Sequence, residues 1–263
     1  MGRLSGKTAI VTGGGDGIGQ GIVQRLASEG ARILVADINA ATGEQSARDA
    51  AGQYGAETSF RQVDVTRRED VEAMVRFAIE TMGGVDILIN NAWGGGNIKR
   101  IENKTDADIE HGVTMGLYAA MWGMRAAFPH MKEKGWGRIV NICSLNGVNA
   151  HIGSAEYNVG KEALRAYSRT AAREWAGYGI TCNIVCPASI SASYRAFRDA
   201  NPETAAAMAA INPMGRMGDP LEDIAPVVSF LSSDDCRYLT GNTLFVDGGS
   251  HINGVAWAPE LPD

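Results

Sequence analysis

No stretch of this chain holds about 18 consecutive apolar residues, so the sequence offers nothing that would cross a bilayer as a helix. It has no CxxC and no HExxH. Its four cysteines (Cys143, Cys182, Cys186, Cys236) and four histidines fall into no metal-ligand spacing, and no metal is expected. Cys182 and Cys186 lie on one side of an apolar strand-like run, which reads as a pair of buried free thiols. No block of like charge occurs. A net charge of −6 argues against nucleic acid as the main partner, since that would require a clustered basic face. Low-complexity and linker-like segments are missing too, and a hydrophobic share of 45% belongs to a globular chain and not a disordered one. Met1–Gly6 leads at once into an apolar β-like run, leaving no room for a secretory leader. Gly6 also stands where a myristoylation signal needs Ser or Thr. The expectation is a cytoplasmic protein with no membrane partner.

What the chain does have is alternation. Short β-branched runs at Thr8–Val11, Ile33–Val35, Ser59–Val63, Ile87–Ile89, Arg138–Ile142, Thr181–Val185 and Thr243–Val246 read as strands. Amphipathic stretches at about Ile18–Glu29, Ala40–Tyr54, Arg68–Met82, Asp106–Lys132, Ala155–Trp175 and Leu221–Leu231 read as helices. Strands that are apolar without clean alternation belong in a parallel sheet covered on both faces. The pattern predicts one α/β domain over residues 1–263: a doubly wound, seven-stranded parallel sheet with helices on both faces. One segment exceeds what a connection needs. Pro187–Pro220 is alanine-rich and helix-prone, and a lid over about 188–220 is expected, with Tyr194, Phe197, Met208, Ile211, Met214 and Met217 on its inner face.

Two motifs carry chemistry. Thr12-Gly13-Gly14-Gly15-Asp16-Gly17-Ile18-Gly19 sits between a strand and a helix, where glycines let the backbone turn tightly and approach a pyrophosphate at a helix N-terminus. Asp37, ending the second strand, can accept hydrogen bonds from both ribose hydroxyls and repel a 2′-phosphate, although a capping role in the loop is also compatible. Asp16 adds a second negative charge, Ile38 is not basic, and no Arg or Lys is placed to welcome a 2′-phosphate. The expected cofactor is NAD. The second motif is Tyr157-Asn158-Val159-Gly160-Lys161, preceded thirteen positions earlier by Ser144. A Tyr and a Lys four apart share a helix face, so an ammonium can lower the phenol's pKa toward the working range for proton transfer.

With these residues in place, the sequence resembles the short-chain dehydrogenase/reductase family over nearly its whole length. Its TGxxxGIG is Thr12–Gly19, its adenine-side acid Asp64 before Val65, and its NNA Asn90-Asn91-Ala92. Its Ser, Tyr and Lys are Ser144, Tyr157 and Lys161, and its late DGG is Asp247-Gly248-Gly249. The resemblance implies a Rossmann fold, hydride exchange with a nicotinamide cofactor and commonly a homotetramer. It implies Tyr157 as general acid/base, Ser144 as holder of the substrate oxygen, and Lys161 as partner of both the phenol and the nicotinamide ribose. Asn91 would lie along the cofactor and Ile190 at its carboxamide end.

Departures from the family pattern matter as much. Gly116 stands where relatives carry an asparagine that holds a water joining the lysine to solvent. That glycine suggests a helix irregularity, with a backbone carbonyl and extra water serving the relay in a vacated space, so Gly116→Asn is expected to be tolerated. Trp93 replaces a glycine after NNA and precedes the run Gly94-Gly95-Gly96, expected to be mobile. Pro187-Ala188 replaces Pro-Gly, and Ala192 replaces a threonine. Trp93 is expected to line the pocket, with packing under a loop as the bland reading. Asn146 and His151 could contact substrate or satisfy local backbone.

The expected function is interconversion of a secondary alcohol and a ketone on a small, fairly apolar, cyclic molecule. One alternative is a 3-oxoacyl-carrier-protein-type reductase, for which docking arginines are missing at Gly135 and Tyr178. The other is a non-catalytic NAD-binding scaffold, for which Gly116 is the warrant.

Overall fold

The computed structural model describes residues 2–252, so the apolar segment Trp257-Ala258-Pro259, expected to pack on a neighbouring subunit, lies outside the described residues. Seven strands form one parallel sheet: β1 (Thr8–Thr12), β2 (Arg32–Asp37), β3 (Thr58–Gln62), β4 (Ile87–Asn90), β5 (Gly137–Ile142), β6 (Ile180–Pro187) and β7 (Thr243–Val246). Their order is β3-β2-β1-β4-β5-β6-β7, so the chain reverses direction beside β1 and β4, where ligands of such sheets bind. Every residue of β1, β4 and β5 is buried, as the strands' continuous apolar character requires. Successive side chains serve opposite faces. Ala9, Val11, Ile33 and Val35 join one core with α1 (Gly17–Ser28) and Ile10, Leu34 and Ala36 join the other with α3 (Arg68–Thr81).

Local chemistry sets the helix ends. Asp16 caps α1, and Asn39 caps α2 (Ala40–Tyr54), which stops at Gly55 in the left-handed region. Thr105 and Asp108 form a reciprocal capping box for α4 (Asp106–Val113). The single helix expected over Asp106–Lys132 is interrupted: α4 gives way to a π-turn at Thr114–Tyr118 before α5 (Ala119–Lys134) begins. The short α6 (Leu145–Val148) and long α7 (Ala155–Trp175) follow β5. The helix expected at Leu221–Leu231 likewise opens with a π-turn, Pro220–Ile224, ahead of α10 (Ala225–Leu231).

The 188–220 segment holds two helices, α8 (Ala192–Ala200) and α9 (Pro202–Ile211). The expected apolar inner face is not there: Met214 and Ile211 are 71% and 82% exposed, and Met208 and Phe197 also reach solvent. The helices instead meet through small groups. Ala205 is the buried residue of α9, and the Tyr194 hydroxyl donates to its carbonyl at 3.4 Å.

Candidate active site

The glycine turn is tied to its surroundings by backbone. Gly13 N donates to Ala36 O at 2.8 Å, and Asn91 Nδ2 donates to the carbonyls of Thr12 and Gly13 at 2.9 and 3.1 Å. Gly13 has a φ of +63°, and a Cβ on it would stand 2.9 Å from Ala92 Cα, which is why a larger residue cannot serve there. Gly17 (φ +54°) opens α1, whose first-turn N–H groups have no intrahelical partner and suit an anion. Ile18 packs on the core, and a Cβ at Gly19 would fall 1.9 Å from Gly13 O. Asp37 Oδ2 accepts from Gly15 N, and Oδ1 from Asn39 N, each at 2.9 Å. The carboxylate therefore braces the loop and also borders the glycine turn. Asp64 Oδ1 accepts from Thr66 N and Oγ1 at 2.9 and 2.7 Å, and Val65 packs on the core beside it. Ile190 N donates to Gly218 O at 2.9 Å, fixing the chain that leaves β6.

One basic side chain does reach the turn, contrary to expectation. Arg195, on α8, forms an ion pair with Asp16 Oδ1. The two lie 179 positions apart, so no local spacing could reveal the contact. A Cβ at Gly17 would meet Ala192 N at 2.9 Å, so the start of α8 rests directly on the turn.

Ser144, Tyr157 and Lys161 come together where β5 and the N-terminal half of α7 meet. Ser144 Oγ caps α6 by accepting from Asn146 N at 3.1 Å, while the Asn146 residue itself is exposed. His151 also stays local, its Nδ1 3.0 Å from Ser154 Oγ. Lys161 is buried and its Nζ donates to Ile142 O at 2.8 Å; burial lowers its pKa. The expected lowering of the Tyr157 pKa is reversed in the protein alone. Burial pushes the phenol up to about 12, the Ser144 hydroxyl acting the other way. The ammonium, 5.8 Å from the ring centroid, is committed to the Ile142 carbonyl.

Trp93 supplies part of that burial. Its ring meets Tyr157 edge-to-face, centroids 4.5 Å apart at 88°, and Lys161 Nζ lies 5.2 Å from its centroid. The glycines after it are not free hinges. His111 Nε2 donates to Gly94 O at 2.9 Å, and Cβ atoms on Gly95 and Gly96 would stand 2.6 Å from His111 Nε2 and 3.1 Å from Glu156 Oε1. Lys104, His111, Glu156 and Arg195 were not singled out from the sequence. The glycine run after Trp93 was the available signal for the first three.

Gly116 corrects another expectation. A Cβ there would lie 2.5 Å from Gly160 Cα, and one at Gly160 would lie 2.2 Å from Gly112 O. The space an asparagine would need is filled by a glycine-on-glycine helix crossing, so Gly116→Asn is not accommodated. The repeat Gly112-x-x-x-Gly116 was its signal. A cavity of about 10 Å³ remains beside Lys161, lined by Thr12, Asn90, Gly116 and Lys161 among others; that is room for one water with polar partners.

A family model described as Enoyl-(Acyl carrier protein) reductase matches residues 13–251. The chain is 36% identical over 259 residues to a 12alpha-hydroxysteroid dehydrogenase of a Clostridium species, covering 95% of this chain and 98% of the relative. It is 33% identical over 248 residues to a 2,3-dihydroxy-2,3-dihydro-p-cumate dehydrogenase of Pseudomonas putida, covering 94% and 95%. The crystal structure of levodione reductase superposes with a TM-score of 0.90 at 30% identity, covering 95% of this chain and 99% of that one. The chain belongs to the short-chain dehydrogenase/reductase family. It is an oxidoreductase of the alcohol dehydrogenase/ketone reductase kind, using a nicotinamide cofactor and a small-molecule substrate. No helix among the described residues is long and apolar enough to cross a membrane.

Proposed function

We propose that the protein is an NAD-dependent dehydrogenase that oxidises a secondary alcohol to a ketone on a small, fairly apolar, cyclic substrate. The observation that carries the substrate class is Trp93 set edge-to-face against Tyr157: an aromatic wall beside the reacting oxygen favours an apolar ring. Asp37 supports NAD, since its carboxylate borders the glycine turn where a 2′-phosphate would be repelled. The residues fit the cofactor: Gly13, Gly17, Ile18 and Gly19 would hold its pyrophosphate, with Asp16 at the turn. Asp37 would hold the adenosine ribose and Asp64 and Val65 the adenine, while Asn91, Lys161 and Ile190 would line the nicotinamide half.

When bound beside Asn91, Lys161 and Ile190, the nicotinamide would supply the acceptor for the hydride of the carbinol carbon. Ser144 orients the substrate oxygen. Because burial pushes the Tyr157 phenol up to about 12, Tyr157 must first release its own proton and only as phenolate takes the hydroxyl proton, a form that the positive charge of a bound oxidised nicotinamide would favour. Lys161, the Ile142 carbonyl it binds and the one-water cavity at Asn90 and Gly116 give that proton a polar way onward. Helices α8 and α9 act as the substrate lid. Exposed Met208 and Ile211 on α9, with Met214 just after it, give it apolar surface to offer a ligand. A homotetramer is the expected assembly, to which the half-exposed Tyr118 stacked on Trp122 would offer apolar contact surface, and the cytoplasm is its expected location.

The carrier-protein reductase reading is disfavoured, because the positions expected to carry docking arginines hold Gly135 and Tyr178. The test is NADH absorbance on incubation with NAD or NADP and a panel of cyclic diols, hydroxysteroids, acyclic secondary alcohols and sugars. Preferred turnover of ring alcohols with NAD is expected. Comparable kcat/KM for the two cofactors overturns the NAD assignment, and a preference for charged sugars or short hydroxy acids overturns the substrate class.

A further inference from the structure

Lys104, His111 and the sequence-distant Glu156 fasten the segment between β4 and α4. Lys104, just before α4, and Glu156, the residue preceding Tyr157 on α7, form an ion pair in which both side chains are 2% exposed. Glu156 Oε1 also accepts from Asn97 N at 3.1 Å, and Lys104 Nζ donates to the Asn97 carbonyl and, at 3.2 Å, to Asn97 Oδ1. Burial works against the Glu156 charge, but the hydrogen bonds from Lys104 and Asn97 hold its pKa below the usual value. At the other end, His111 ties Gly94 while Trp93 lies edge-on to both His111 and Tyr157. Between the two ends, Lys99 N donates to Gly153 O at 3.0 Å.

A charge pair taken out of water is seldom the most stable filling for a core, and such pairs are better at fixing one arrangement among several. Here the arrangement fixed is the distance between the Trp93 segment and the helix that carries the proton-transferring phenol. Resting on the functional reading above, we propose that Lys104 and Glu156 are positioning residues, locking the 93–104 segment to α7 so that Trp93 selects ring alcohols over acyclic ones. The pair touches neither substrate nor cofactor and acts through Trp93.

The experiment measures kcat and KM with NAD for cyclohexanol and 2-propanol. The enzymes compared are the parent, Lys104→Met, Lys104→Met/Glu156→Gln, Trp93→Ala, and the double variant combined with Trp93→Ala; Tm and NADH binding are followed in each. The ring-to-acyclic ratio of kcat/KM should fall about tenfold in the double variant and in Trp93→Ala, chiefly through KM for the ring alcohol. In the Lys104→Met/Glu156→Gln variant, turnover of 2-propanol should stay within about threefold of the parent, and adding Trp93→Ala to that variant should lower the ratio no further. A lowered Tm with the parent ratio intact would show the pair to be structural only and overturn the inference. Should the pair variants fail to fold, His111→Ala, which unties the other end, must lower the ratio or the inference falls. A parent enzyme without ring preference removes the functional reading and this inference together; a parent preference that survives in the variants removes the inference alone.

Discussion

At the β1–β2 end of the sheet, the groups that would meet a dinucleotide are mostly backbone or short side chains held by near neighbours. Asp37 braces Gly15 and Asn39, Asp16 caps its own helix, and Asp64 holds Thr66. At the β5–α7 end the pieces arrive from everywhere: Trp93 from β4's exit, His111 from α4, Glu156 and Tyr157 from α7, Gly116 from a π-turn. The first end is built to recognise a constant ligand by geometry that a few residues can encode. The second is an assembly of contacts whose position depends on the packing of whole helices. Perturbing the first should therefore change binding selectively, while perturbing the second should mix rate, specificity and stability.

The largest effect tests the second end at its centre. Tyr157→Phe removes the proton-transferring hydroxyl and almost no volume, so kcat should drop about 10²–10⁴-fold, with NADH affinity nearly unchanged. Steady-state turnover alongside fluorescence titration of NADH checks both halves of that statement. Near-parental kcat would remove Tyr157 from the chemistry.

Asp37→Ala tests the first end. Loss of charge-assisted hydrogen bonds to the ribose should cost about 1.5–3 kcal/mol in kcat/KM for NAD, and discrimination against NADP should relax. The alcohol KM at saturating NAD should hardly move, because the two ends are separately built. A parallel rise in the alcohol KM would break the comparison.

Gly116→Asn returns to the second end through stability. The new side chain would drive into the Gly160 backbone, and overpacking of this kind costs about 1–3 kcal/mol, several degrees in the Tm of a domain this size. Gly116→Ala should show a smaller loss of the same sign. Calorimetric melting of the three proteins is the measurement, and an unchanged Tm for the asparagine variant would mean that α4 and α7 can part.

These cases show what could be read without coordinates. Strand identity and parallel pairing were legible because burial on both faces leaves an apolar signature in the central strands β1, β4, β5 and β6, and the loop contacts of Asp37 were within reach of the sequence because its partners lie within a βαβ unit. Gly116 was noticed, but its meaning was misjudged: a lone glycine signals freedom, whereas three glycines on two helices signal contact, and only packing brings Gly112, Gly116 and Gly160 together. Apolar residues in the lid suggested a buried face, yet alanine-rich helices can pack through their small side, as α9 does through Ala205. The Lys104–Glu156 pair joins residues 52 positions apart with no periodic pattern between them.

The smallest effect lies where the two ends touch. Arg195 on α8, part of the proposed lid, pairs with Asp16 in the glycine turn, with side chains 36% and 49% exposed. Exposed ion pairs are worth about 0.2–1 kcal/mol, because water screens the charges and two long side chains lose freedom to hold one geometry. Arg195→Ala should therefore raise KM for NAD by no more than about fivefold at low salt. The increment should shrink as ionic strength rises, since the Debye length falls to about 8 Å near physiological salt. Asp16→Asn should weaken the same contact while sparing the α1 cap, because asparagine caps helices as well as aspartate does. If the pair acts only as a lid fastening, Asp16→Asn in the Arg195→Ala background should add nothing to the change in KM. A tenfold or larger effect of Arg195→Ala that persists at high salt would instead place the guanidinium on the dinucleotide itself, and the lid would then belong to the nucleotide end as much as to the substrate end.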